Sequence, residues 1–198
     1  MKKLSVLFSM ALLAVMGPAQ GALITSVNGS DIITSFTSGT LSINDTIAMV
    51  VQYDNGTQYS FVDSHIQFSA DLISDNSAGG VASGMFGNGS YSIFDSTNTL
   101  LLSGQVEELL LTGTAGGYLL GGYGSVTLDD GTLKSYLPSG AGSGDVVTIT
   151  FQLIPGPVQD FSSDFTGRTN LSIHPIPEPA TMILLGLGGM TLLRKKRS

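Results

Sequence analysis

At several places between residues 23 and 154 apolar and polar side chains alternate with a period of two. In HIQFSADLI, Ile66, Phe68, Ala70 and Leu72 fall on one face, and His65, Gln67, Ser69 and Asp71 on the other. In DVVTITFQLI, Val147, Ile149, Phe151 and Leu153 alternate with Val146, Thr148, Thr150 and Gln152. Successive side chains of a strand point to opposite faces, so this pattern predicts half-buried antiparallel strands. Further strands are predicted at 23–27, 31–36, 46–53, 57–62, 90–95, 98–103, 105–112 and 122–128. Asn28-Gly29, Asn55-Gly56, Asn88-Gly89 and Asp130-Gly131 suit turns that need positive φ. EELLL, within residues 104–113, contains good helix formers, but the stretch is short and flanked by glycine. A hairpin folded at Ser103-Gly104 accounts for it better. The Gly-rich stretch 112–124 reads as a loop, with Gly116-Gly117 and Gly121-Gly122 marking bends or bulges. About ten short, closely spaced strands predict an all-β fold, an antiparallel β-sandwich or jelly roll.

The two ends break this pattern. Lys2 and Lys3 precede a mostly apolar run from Leu4 to Met16, followed by Gly17, Pro18 and small residues. That layout is a secretory signal peptide, assigned to residues 1–22, with cleavage after Gly21, Ala22 or Ala19. Signal peptidase and the general secretion machinery are the partners it implies. At the other end, residues 180–193 carry no charge and are followed by Arg194, Lys195, Lys196 and Arg197. A helix over those fourteen residues spans about 21 Å, less than the roughly 30 Å hydrocarbon core. Snorkelling Lys and Arg stems and a thinned bilayer make up the difference, so a single transmembrane helix is expected over 180–193. The basic cluster acts as a stop and stays cytoplasmic, which agrees with export of the body. Residues 155–176, bounded by Pro155 and Pro157, read as a stalk between a β domain at 23–154 and the segment 177–198.

Pro177-Glu178-Pro179, an apolar run containing Gly-Leu-Gly-Gly, and the cluster Arg194 to Arg197 follow one another in order. This arrangement resembles the PEP-CTERM sorting signal of Gram-negative bacteria. The resemblance implies a partner, an integral-membrane exosortase that recognises the tripeptide and processes the tail. It implies transient anchoring in the inner membrane with the body periplasmic, then a cell-surface or extracellular location. It also implies an association with exopolysaccharide and biofilm matrix. Each proline disfavours the α region for the residue before it, so Ile176 and Glu178 are held extended, a form a processing enzyme can grip.

Charge narrows the body's role. Residues 23–176 hold fourteen Asp and Glu against Lys134 and Arg168, a formal charge of −12. Such a surface repels nucleic acid, so no nucleic-acid partner is expected. The chain has no Cys, which removes thiolate metal sites and Cys nucleophiles. Asp63-Ser64-His65 lists triad residue types, but triad members usually come from separate segments. Glu107 and Glu108 are expected on opposite faces of a strand, a poor acid/base couple. The reading is therefore a non-enzymatic surface or matrix protein, with no catalytic residues, no metal site and no cofactor. Calcium is the cation the loops would suit, through Asp71, Asp75, Asn76, Asp129 and Asp130, though turn chemistry explains those residues better. The alternative is a carbohydrate- or ice-binding module. Without Trp, its aromatic platform falls to tyrosines, and Tyr118 and Tyr123 in the Gly-rich loop are the expected ligand-binding residues.

Overall fold

The computed structural model describes residues 22–137 and 145–175. Eight strands follow in chain order: β1 (Ile24–Thr37), β2 (Thr40–Tyr53), β3 (Gln58–Asp75), β4 (Val81–Phe94), β5 (Leu100–Thr114), β6 (Leu120–Leu128), β7 (Asp145–Pro155) and β8 (Phe165–His174). A short 3-10 helix (Thr132–Tyr136) lies between β6 and β7. Every strand pairs antiparallel with the next, and β8 pairs back onto β1, so the sheet closes into an up-and-down barrel. The fold is all-β and antiparallel, as the alternation predicts. It is a closed barrel, however, and not a sandwich or jelly roll.

The expected short strands are parts of longer ones. Segments 23–27 and 31–36 are one strand, β1, with a register shift between Gly29 and Thr34. Segments 57–62 and 65–73 both lie in β3. Segment 105–112 and residues 100–103 of segment 98–103 lie in one strand, β5, so no hairpin forms at Ser103-Gly104. Asn55-Gly56 does make a turn, with Gly56 at φ 81°, whereas Asp130 bridges back to Ser103 and Gly131, at φ 125°, leads into the 3-10 helix. Asn28-Gly29 and Asn88-Gly89 instead sit inside β1 and β4. The glycine in β5 has a packing cause. A Cβ at Gly104 would collide with the Thr127 carbonyl oxygen and press on the Tyr91 ring. Tyr91 lies directly opposite Gly104 in the ladder, is buried, and donates its hydroxyl to the Thr127 carbonyl at 2.9 Å. Glycine here lets a tyrosine lie over the backbone, and does not bend the chain.

Alternation fixes what fills the barrel. Ile66, Phe68 and Ala70 of β3 and Ile149, Phe151 and Leu153 of β7 all point inward and are buried. They join one continuous core with residues from all eight strands. An eight-stranded barrel is just wide enough for side chains to fill its interior. The outward positions are mostly Ser, Thr, Asn, Gln and Asp, the reverse of a bilayer-spanning barrel, whose outer band is apolar. No helix among the described residues is long and apolar enough to cross a membrane. The helix expected at 180–193 and the signal peptide through Gly21 lie outside the described residues.

The stalk does not exist as expected. Within 155–176, residues 165–174 form β8, which pairs with β1 from Val27 to Phe36 and with β7 from Thr148 to Pro155. The preceding loop returns Val158 and Phe161 to the core, where both are buried. Phe161 meets Phe36 edge-on with ring centroids 5.7 Å apart, and Phe86 at 5.4 Å. Phe36 stacks on Phe165 at 5.1 Å. These four rings plug one end of the barrel. Polar composition suggests a linker, but most outward residues of this barrel's strands are polar as well. Thr169, Leu171 and Ile173 supply the buried alternate positions.

Candidate functional site

With the interior filled, concave surface is found on the outside and at the ends. A groove of about 610 Å³ runs along the outer face of β1, β2 and β6 to β8. Its polar lining includes Asn28, Ser30, Thr150, Gln152, Asn170 and Ser172. The ladder register places Tyr123, Thr150, Ser172 and Asn28 in one row across four strands. Ser172 donates to Asn28 Oδ1, and Asn28 Nδ2 donates to Ser26 Oγ at 2.9 Å. One row along, Asn170 Nδ2 donates to Gln152 Oε1 at 3.2 Å. These bonds hold the side chains in a fixed mesh of amides and hydroxyls. Tyr123 is 64% exposed at the margin of this mesh.

The structure separates the two expected aromatic residues. Tyr123 projects from the middle of β6, whereas Tyr118 lies in the β5–β6 turn at the Phe161 end, 65% exposed. Sequence reading missed a different group. Tyr53, Tyr59 and Tyr136 converge at the opposite end of the barrel. The Tyr53 ring meets Tyr59 edge-on at 5.6 Å and Tyr136 at 6.3 Å. Together with Asn55, Thr57, Phe61, Leu133 and Ala22 they line a cavity of about 370 Å³. Burial, followed by the neighbouring phenols of Tyr136 and Tyr59, raises the pKa of Tyr53 above its ordinary 10.0. A signal for half of this group was available. Tyr53 and Tyr59 flank the Asn55-Gly56 turn, and a hairpin there brings them together. Tyr136, contributed by the 3-10 helix, was not legible locally.

The residues considered for catalysis do not assemble. Ser64 is buried and donates to the Phe61 carbonyl at 3.0 Å. His65 faces the other way and meets Gln67 through Nε2 at 3.2 Å. Glu107 and Glu108 were expected on opposite faces. A bulge between Val106 and Glu108 turns both outward, and both are exposed. Asp75 is committed to structure, accepting the amides of Ser77 and Phe161 at 3.0 Å each. Slight burial pushes its pKa up, but hydrogen bonds from Ser77 and Phe161 outweigh this and leave it below the ordinary value. Asp71 accepts the Thr40 hydroxyl at 2.9 Å, and Asp130 accepts the Gly131 amide at 2.7 Å. Among the described residues, no three of His, Asp and Glu come together in a way that would hold a metal ion.

The chain leaves the barrel at His174, whose Nε2 lies 2.9 Å from Ser172 Oγ. This is the same end as the start of β1 and the tyrosine cavity. Pro177, Glu178, Pro179 and the cluster Arg194, Lys195, Lys196 and Arg197 lie beyond, outside the described residues. The family model for the PEP-CTERM protein-sorting motif matches residues 175–197. The barrel is therefore followed directly by a PEP-CTERM sorting motif, the signal of an exported protein processed by an exosortase. No curated protein and no solved structure matches the chain.

Proposed function

We propose that this chain is a non-enzymatic surface or extracellular-matrix protein that an exosortase delivers by way of the inner membrane. The observation that carries the reading is the sorting motif at residues 175–197, directly after β8. In this reading Pro177, Glu178 and Pro179 are the recognition tripeptide, residues 180–193 the membrane anchor and residues 194–197 the stop. The catalysis belongs to the partner, and the barrel supplies the cargo. The loss of the stalk changes the geometry. Fully extended, residues 175–179 reach at most about 18 Å, so the barrel end is held close to the bilayer until the tail is processed. A double substitution, Pro177→Ala with Glu178→Ala, is expected to leave unprocessed precursor in the membrane fraction. Normal release of that variant, followed by immunoblot and intact mass, refutes the role of the tripeptide.

A second reading, a body that binds polysaccharide, is favoured by the outer groove with Tyr123 at its edge. Fixed amides and hydroxyls beside an exposed aromatic face suit a neutral, hydroxyl-rich ligand. Tyr123→Ala should then weaken retention of the protein by the polysaccharide of its own cells, and Tyr118→Ala should do so if the turn takes part.

A further inference from the structure

We propose that the cavity formed by Tyr53, Tyr59 and Tyr136 binds a neutral pyranose unit of a polysaccharide, at a site separate from the outer groove. At about 370 Å³ the cavity falls in the range of small-ligand sites, which are mostly apolar with a few convergent polar groups. Tyr59 is 57% exposed and Tyr136 50% exposed, so about half of each residue is open to a ligand. Tyr53, less exposed, meets both rings edge-on. A pyranose has apolar C–H faces and a rim of hydroxyls, and tyrosine offers a ring face and a phenol to match them. Asn55 and Thr57 add an amide and a hydroxyl at the rim. Aromatic contacts of this kind are preformed, because Tyr53 and Tyr59 are fixed in paired strands on either side of a four-residue turn.

Charge selects among the ligands an aromatic cavity could take. Asp54, Asp95, Asp129 and Asp130 stand in the connections at this same end of the barrel. Lys134 is tied down, donating its Nζ to the Asp129 carbonyl at 2.7 Å. Carboxylates at this end of the barrel repel anionic lipid and anionic polymer alike, which favours a neutral ligand over an anionic one. This argues against the other role open to surface tyrosines, an interfacial belt resting on the bilayer.

The test uses the protein purified as its host exports it. The chain has no Trp and six Tyr, so its intrinsic emission reports tyrosine alone. The probes are cellohexaose, maltohexaose and xylohexaose, polysaccharide from the producing cells, and vesicles of phosphatidylcholine with and without phosphatidylglycerol. Saturable binding of a neutral glycan is expected, weakened about tenfold in Tyr59→Ala and in Tyr136→Ala, near the upper end of what one aromatic contact supplies. Tyr59→Phe should retain most of the stacking contribution. Should an alanine replacement fail to fold, as judged by circular dichroism, Tyr59→Leu, which keeps apolar bulk but no aromatic ring, should show the same loss, and unchanged binding there overturns the proposal. Three further results overturn the proposal: no glycan binds; binding survives in the Tyr59→Ala, Tyr136→Ala double variant; or those tyrosines govern vesicle binding instead. Loss in Tyr123→Ala alone would move the site to the outer groove and equally refute this one.

Discussion

Cut the chain after Ile154, where the alternation of the last predicted strand ends, and the two accounts of residues 155–176 diverge. If those residues were a stalk, the remaining domain would fold unchanged. In the barrel, the cut removes β8 and the loop before it. Eight residue pairs with β1 and eight with β7 disappear, leaving two long open edges. Val158, Phe161, Leu171 and Ile173, all buried, go with them. At about 1.5–3 kcal/mol for each fully buried apolar side chain, their loss alone removes about 6–12 kcal/mol. Whole domains are stable by only about 5–15 kcal/mol. The expected result is a chain with no cooperative thermal transition by circular dichroism and a strong tendency to associate through its edges. A chain cut after His174 should instead melt within a degree or two of the full-length protein. A cooperative transition near the full-length midpoint for the chain ending at Ile154 would refute the closed barrel.

Other measurements test smaller parts of the argument. Tyr91→Phe leaves the buried Thr127 carbonyl without its 2.9 Å donor and should cost about 1–3 kcal/mol in chemical denaturation. Burial, with the nearby Asp129 charge adding to it, raises the Tyr91 pKa far above its ordinary 10.0. The unfolded chain therefore ionises first. Stability from this group is intact below pH 10 and falls above it, a loss that Tyr91→Phe should reduce. Asp75 has the opposite sign. Its lowered pKa contributes stability above the ordinary carboxylate value of 3.8, and that contribution fades as pH falls through the folded value. Asp75→Ala should thus flatten the acid limb of the stability profile, modestly, because the carboxylate is largely in solvent.

Local pattern carried a great deal here. Strict alternation identified the inward set Ile66, Phe68, Ala70, Ile149, Phe151 and Leu153, because a strand's geometry offers each side chain only two directions. Glycine misled. At Asn88-Gly89 and Ser103-Gly104 the local pattern predicts a turn, although the glycine's role is to let another strand's backbone come close. That distinction depends on the neighbouring strand's backbone at Ser69 or Thr127, which no local window contains. The glutamate pair failed for a related reason, since a single bulge residue reverses the direction of every side chain that follows it.

The chain's destination was written in a contiguous segment. Pro177-Glu178-Pro179, an apolar run and four cations act in series along the backbone, so their order is their meaning and the sequence alone displays it. Closure of the barrel could not be read in that way. Whether β8 is a tether or the strand that seals β1 to β7 depends on long-range hydrogen bonding between residues more than a hundred positions apart. The tyrosine cavity has the same character. Tyr53 and Tyr59 are neighbours by virtue of one hairpin, but Tyr136 reaches them only because the closed sheet carries the β6–β7 connection over that end of the barrel.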